Sequence, residues 1–202
     1  MRLKAGTTIF IIFLAGALVV YALPLLTANR ASAWAQQAPE QSQCDFLTGG
    51  GFIIHDGAQA NFGVAGGCKH GSPTWGHLEY IDHGTGLNVH STSITAYMVD
   101  ITGDPNARLI CGTARTNQSG GDVNFVVRTG DAGEPGINDQ FDIRLKDQSG
   151  VTVYDTATEE GFLHFLGSSA PGSPGDGSGG NIQLHKPNPS TTGEFGGSCP
   201  AL

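Results

Sequence analysis

"DVNFVVRTGDAGEPGINDQFDIRLKD", residues 122 to 147, is the stretch whose reading decides the fold. Val123, Phe125 and Val127 recur at every second position, and so do Phe141, Ile143 and Leu145 after a Gly/Pro-containing interval, with Asp142, Arg144 and Lys146 opposite. A period of two places alternate side chains on opposite faces of a strand, so the spacing predicts two half-buried strands. Working outward, the same chemistry returns in "GGFIIH", "AQANFGV", "GHLEYID", "LNVHSTSITAYMV", "ARLICGTART", "VTVYDT", "GFLHFL" and "GNIQLHK". Each joins β-branched or aromatic residues to flanking glycine, asparagine or aspartate. In the last, Ile182 and Leu184 point inward and Gln183 and His185 outward. No amphipathic helix pattern lies between Phe46 and Lys186. About ten short strands separated by turn chemistry predict an all-β domain over residues 44–186, an antiparallel β-sandwich or partly open barrel.

The first 35 residues have the layout of a secretory signal peptide. Arg2 and Lys4 precede an apolar run from Ile9 to Leu26, and two A-x-A sites follow, at Ala31-Ser32-Ala33 and Ala33-Trp34-Ala35. The run is long enough that an uncleaved anchor is the alternative. Cys44 is too distant from the run to take a lipid. Cleavage would leave a tail at 36–43, and the stretch 187–202 reads as a C-terminal tail, fixed only if Cys199 is bonded. It would also leave 7 basic residues against 18 acidic ones, a difference of −11. Nucleic acid and anionic membranes are therefore poor partners. Glycine at 31 of 202 residues and charged residues at 14% suit an exported fold of short strands and tight turns. "GSSAPGSPGDGSGG", residues 167 to 180, reads as a flexible loop.

Four cysteines, Cys44, Cys68, Cys111 and Cys199, lie in the exported part, and two disulfides are the expectation. Of three connectivities the favoured one joins Cys68 to Cys111 and leaves Cys44 and Cys199 to tie the ends together. A four-thiolate zinc site competes, although no C-x-x-C knuckle is present.

"GHLEYIDHGTGLNVH", residues 76 to 90, holds the densest metal-ligand chemistry. On a strand, His77, Glu79, Ile81 and His83 share one face and Leu78, Tyr80 and Asp82 the other. Six residues of strand span about 20 Å, so His77 and His83 cannot meet on one ion, and His77 with Glu79 is the feasible transition-metal pair. His90 could approach from the strand beyond the "HGTG" turn. The competing reading is structural: a solvated face, with Asp82 and His83 bonding turn backbone beside Gly84 and Gly86. No G-x-S-x-G or H-E-x-x-H accompanies it. A second candidate is the acidic loop 131–142, where Asp131, Glu134, Asn138, Asp139 and Asp142 offer hard oxygens suited to Ca²⁺ as a loop stiffener, without the EF-hand spacing.

The motif order "LTGGGFI" (47–53), "ANFGV" (60–64), "LNVHSTSITAYMV" (87–99), "ARLICGTA" (107–114), "DQFDIRLKDQSGVTVYD" (139–155) and "GGNIQLHK" (179–186) resembles the secreted bacterial post-COAP domains, named after the choice-of-anchor proteins they often follow. The resemblance covers roughly Phe46 to Lys186. It implies an exported β-rich domain of unknown function with no catalytic residues to carry over, and it assigns His90 to the common fold. The His-rich "HLEYIDHGTG" insertion and the cysteines depart from that pattern.

Together these readings point to a secreted or cell-surface, non-enzymatic β module that binds an extracellular protein or glycan or serves surface structure. Two other classes stand beside it. One is a carbohydrate-binding module, with Trp75, Tyr80 and Tyr97 as stacking faces. The other is a metal-dependent hydrolase or oxidase using His77 and Glu79. Exposed strand edges add self-association by β-augmentation.

Overall fold

A computed structural model describes residues 43–100, 104–118, 120–157, 164–167 and 177–202. The signal peptide, nearly all of the 36–43 tail, most of the glycine-rich loop and part of "GFLHFL" lie outside the described residues.

The described chain forms ten strands and no helix: β1 (Phe46–His55), β2 (Ala58–Lys69), β3 (Ser72–Asp82), β4 (Leu87–Val99), β5 (Ala107–Thr116), β6 (Asp122–Gly130), β7 (Gln140–Lys146), β8 (Thr152–Asp155), β9 (Gly179–His185) and β10 (Gly196–Gly197). They make one antiparallel sheet in the order β8-β7-β6-β5-β4-β3-β2-β1-β9, with β10 added to β4. Strands β1 to β8 form a meander, and the sheet curls on itself without closing into a barrel. Local turn chemistry drives this connectivity. Asp56-Gly57 joins β1 to β2 and His70-Gly71 joins β2 to β3, all four residues with positive φ, the backbone of a two-residue turn that matches strand twist.

Alternation places the core. Val123, Phe125, Val127, Phe141, Ile143, Leu145 and Ile182 are buried in one cluster, as their spacing predicts. The curl brings strands distant in order together: the Phe62 ring of β2 stacks on Phe141 of β7 at 3.8 Å. Gly66 lies so close to Ile110 of β5 that a Cβ there would sit 2.6 Å from its side chain. Asp142 departs from the pattern. It faces away from the core yet is only 4% exposed, because Thr156 and His164 cover and bond it.

The disulfide expectation is overturned: Cys44 bonds Cys68 and Cys111 bonds Cys199. The sheet itself separates Cys68 from Cys111, since Cys68 belongs to the inner core while Cys111 lies on the opposite side with Leu109, Val126 and Ala201. Cys44 precedes Phe46, whose register partner is Gly67, so the first bridge closes the open end of the β1–β2 hairpin. Ala96 pairs with both Cys111 and Gly197, which sets Cys199 over Cys111. The C-terminal residues are therefore packed against the sheet. Thr191 and Ala201 are fully buried, and Phe195 lies over Arg108 and stacks on Tyr97.

The gap between the curled edges is held by side chains. Along the side of β9 that does not face β1, Asp139 accepts the Ile182 amide and Asp131 accepts the Leu184 amide. Backbone bonds from Leu166 to Asp139 and from Gly167 to Ser178 continue the seam. Unsatisfied edge groups are thereby covered within the fold.

Candidate functional site

On the outer face of β3 and β4, His77, Glu79 and His90 converge. Glu79 and His90 are direct register partners, and His77 stands two residues along on the same face as Glu79. The three ligand-capable atoms lie within 4.8 Å of one another, the only such group of three among the described residues. A carboxylate only accepts, so His77 donates its Nε2–H to Glu79 Oε1 at 3.1 Å, and His90 donates its Nδ1–H to the same oxygen. The imidazole rings meet edge to face, with centroids 5.2 Å apart. Side-chain exposures of 50% for His77, 46% for Glu79 and 62% for His90 leave the group open to solvent.

Ser91 supports it from beneath. Its Oγ accepts the Leu78 amide at 2.9 Å and lies 3.0 Å from His77 Nδ1, which fixes the ring's orientation. Neighbouring strands set the surroundings: Gly63 of β2 is the register partner of Glu79, and a Cβ at Gly63 would meet nothing within 4 Å. Arg115 of β5 is the partner of His90 on the other flank. The expected pair His77–Glu79 is thus confirmed as neighbours, His90 completes it, and His83 stands apart, its backbone amide bonded to Gln59. Ser91 was not foreseen, since a hydroxyl beneath a sheet carries no mark in sequence.

The turn beside the triad is structural. Asp82 is buried and accepts from the Gly84 and Thr85 amides, the Thr85 hydroxyl and the Tyr154 hydroxyl. Burial works to raise its pKa, but these hydrogen bonds outweigh it and hold the carboxyl below the usual aspartate range. Tyr80 donates to Tyr154 in turn, and burial pushes both phenols above their ordinary value.

Among the described residues, the carboxylates of the acidic loop form no group of three ligand atoms close enough to share one ion. Asp131 accepts the Gly133 and Leu184 amides, and Asp139 accepts the Ala132 and Ile182 amides. Glu134 accepts from the Asn181 side chain, Asn138 donates its amide to Leu166, and Asp142 faces His164. Of the expected calcium set, Asp131 and Asp139 thus turn to backbone amides and Glu134 to the Asn181 side chain, while Asn138 bonds Leu166 through its backbone, and the loop caps a strand edge. Burial raises the Asp139 pKa against the pull of its amide donors.

Two of the expected stacking aromatics are also corrected. Tyr80 and Tyr97 are fully buried, and Tyr97 donates to Asp45, itself paired with buried Arg108. Trp75 is half-buried, with Phe46 at its edge and the Lys69 ammonium 3.6 Å from its ring centroid. A shallow cleft of about 340 Å³ opens beside Asp45, Asp131 and His185, but both carboxylates there are already bonded inward.

Compared with family models, curated proteins and solved structures, the chain matches none.

Proposed function

We propose that the chain is an exported, non-enzymatic β module that acts by binding at its outer face, and that it belongs with the post-COAP domains its motif order resembles. Residues 1–35 serve as its signal peptide, and the two disulfides fit an oxidising compartment such as the periplasm or cell exterior. The observation that carries the reading is the contrast between a sealed seam and an open outer face. The loop carboxylates turn inward to cap β9, while His77, Glu79 and His90 are displayed on rigid strands. Partners are an extracellular protein or a glycan, with Trp75 the remaining aromatic of the carbohydrate reading. The short edge strand β8, with Val153 39% exposed, is the place where a second copy would add by β-augmentation.

A metal-dependent hydrolase or oxidase would use the same His77 and Glu79. The triad lies on an exposed face, whereas turnover draws on a walled site that excludes water, so binding is the better-supported reading. The test is a screen of the exported full chain against glycans and envelope proteins of the producing cell. Expected is a saturable binder weakened by Thr92→Arg, at an exposed β4 position two residues from His90, or by Arg115→Glu opposite His90, without turnover. Hydrolysis or oxidation that disappears in Glu79→Gln would overturn the reading.

A further inference from the structure

The donor set on β3 and β4 has the composition of a transition-metal site. Two imidazole nitrogens with one carboxylate oxygen suit zinc or copper(II), whereas calcium and magnesium take oxygen ligands. Tetrahedral zinc with bonds of about 2.0 to 2.1 Å holds its ligand atoms about 3.3 Å apart. His77 Nε2 and Glu79 Oε1 are already 3.1 Å apart, and all three donors fall within 4.8 Å. Small side-chain rotations would therefore close the group on one ion. Register places the donors: Glu79 and His90 are cross-strand partners, so the backbone that presents them is held by the sheet.

We propose that His77 Nε2, Glu79 Oε1 and His90 Nδ1 bind a zinc or copper(II) ion on the outer face of the sheet, with Ser91 positioning the His77 ring. The inference deepens the binding reading above and rests on it, because three protein donors leave at least one coordination position for water or a partner's donor. In the metal-free chain the His77 proton lies on Nε2, facing Glu79, and Ser91 donates its hydroxyl proton to Nδ1. On metal binding both imidazoles change tautomer: His77 Nε2 and His90 Nδ1 give their lone pairs to the ion, the proton of each ring moves to its other nitrogen, and His77 Nδ1–H donates to Ser91 Oγ. The alternative account makes Glu79 only the acceptor of two surface imidazoles, an exposed pairing of little energetic weight, and that account requires no ion.

The test is calorimetric titration of the untagged, exported full chain, stripped with EDTA, with zinc chloride and separately with a copper(II) salt. Expected is one ion per chain, with copper(II) electron paramagnetic resonance showing coupling to two imidazole nitrogens. His77→Ala and His90→Ala should each weaken binding about 100-fold or more, and Ser91→Ala about 10-fold with recovery in Ser91→Thr. His83→Ala, also exposed but outside the group, should bind as the parent does. Circular dichroism of the metal-free variants establishes that each is folded. Absence of stoichiometric binding, or binding that survives the His77→Ala/His90→Ala double substitution, overturns the proposal. The outer-face screen separates the two levels: a binder still weakened by Arg115→Glu when no metal binds leaves the binding reading standing while this inference falls.

Discussion

In the loop between β6 and β7, Asp131 and Asp139 each accept backbone amides with both carboxylate oxygens, and two of those amides belong to the edge of β9. On the outer face of β3 and β4, Glu79 directs one oxygen at two imidazoles that are themselves half-exposed or more. Both stretches are acid-bearing and flanked by glycine, yet one completes the fold and the other is presented by it. What separates them is whether backbone donors lie within reach. A strand edge left open by the curl draws the loop carboxylates inward, because a buried amide without an acceptor is costly. The middle of a paired sheet has no such donors to offer, so its outward side chains are left to each other and to solvent.

The comparison breaks most visibly if inward acids are removed. Asp45, paired with buried Arg108 and accepting from Tyr97, is the extreme case. Asp45→Ala should cost about 3 to 5 kcal/mol, since it strands a buried charge, and urea unfolding would measure it. Asp139→Ala should cost about 2 to 4 kcal/mol by leaving the Ile182 and Ala132 amides without acceptors. A loss as small as that of a surface substitution would mean the seam is not held by this side chain.

Acid titration sharpens the contrast between two buried aspartates. Asp82 ionises below the ordinary range in the folded chain, so it contributes stability that is complete above pH about 4 and is lost as pH falls through its folded-state value. Asp139 is raised by burial, so its ionisation is a cost at neutral pH that is relieved as pH falls through its folded-state value. Asp82→Asn should therefore flatten the acid limb of a stability–pH curve, and Asp139→Asn should steepen it. Matching curves for the two variants would contradict the assignment. The smallest effect is expected at the triad: His77→Ala, Glu79→Gln and His90→Ala should each change metal-free stability by no more than about 0.5 kcal/mol.

Strands β6 and β7 were legible because a period of two survives in them, and the burial of Val123, Phe125, Val127, Phe141, Ile143 and Leu145 follows it. The hairpin turns were legible in principle as well, since Asp56-Gly57 and His70-Gly71 carry the residues that tolerate positive φ. Disulfide pairing was not, because it depends on which side of a curled sheet each cysteine faces, and Cys111 faces away from Cys68. The two glycines of β10 have no side-chain pattern to read. At Gly197 a Cβ would lie 2.2 Å from the Thr95 carbonyl oxygen, which leaves room only for glycine. In the triad, His77 and Glu79 follow from alternation on one strand. His90 required the register of the β3–β4 hairpin, where Asp82 opposite Leu87 sets Glu79 opposite His90. The direction of the Asp131 and Asp139 carboxylates was out of reach, because their partners on β9 lie more than forty residues away in sequence, as the separations of 53 and 43 residues show.

The most direct test of the division between inward and outward acids is equilibrium unfolding of three exported chains, with and without zinc: the parent, Asp139→Ala and His77→Ala/His90→Ala. Without zinc, Asp139→Ala should unfold at lower denaturant while the double variant matches the parent. Zinc at 100 times its dissociation constant should stabilise the parent and Asp139→Ala alike, by about 2.7 kcal/mol, and leave the double variant unmoved. The opposite pattern, with zinc stabilisation lost in Asp139→Ala and kept in the double variant, would contradict the account.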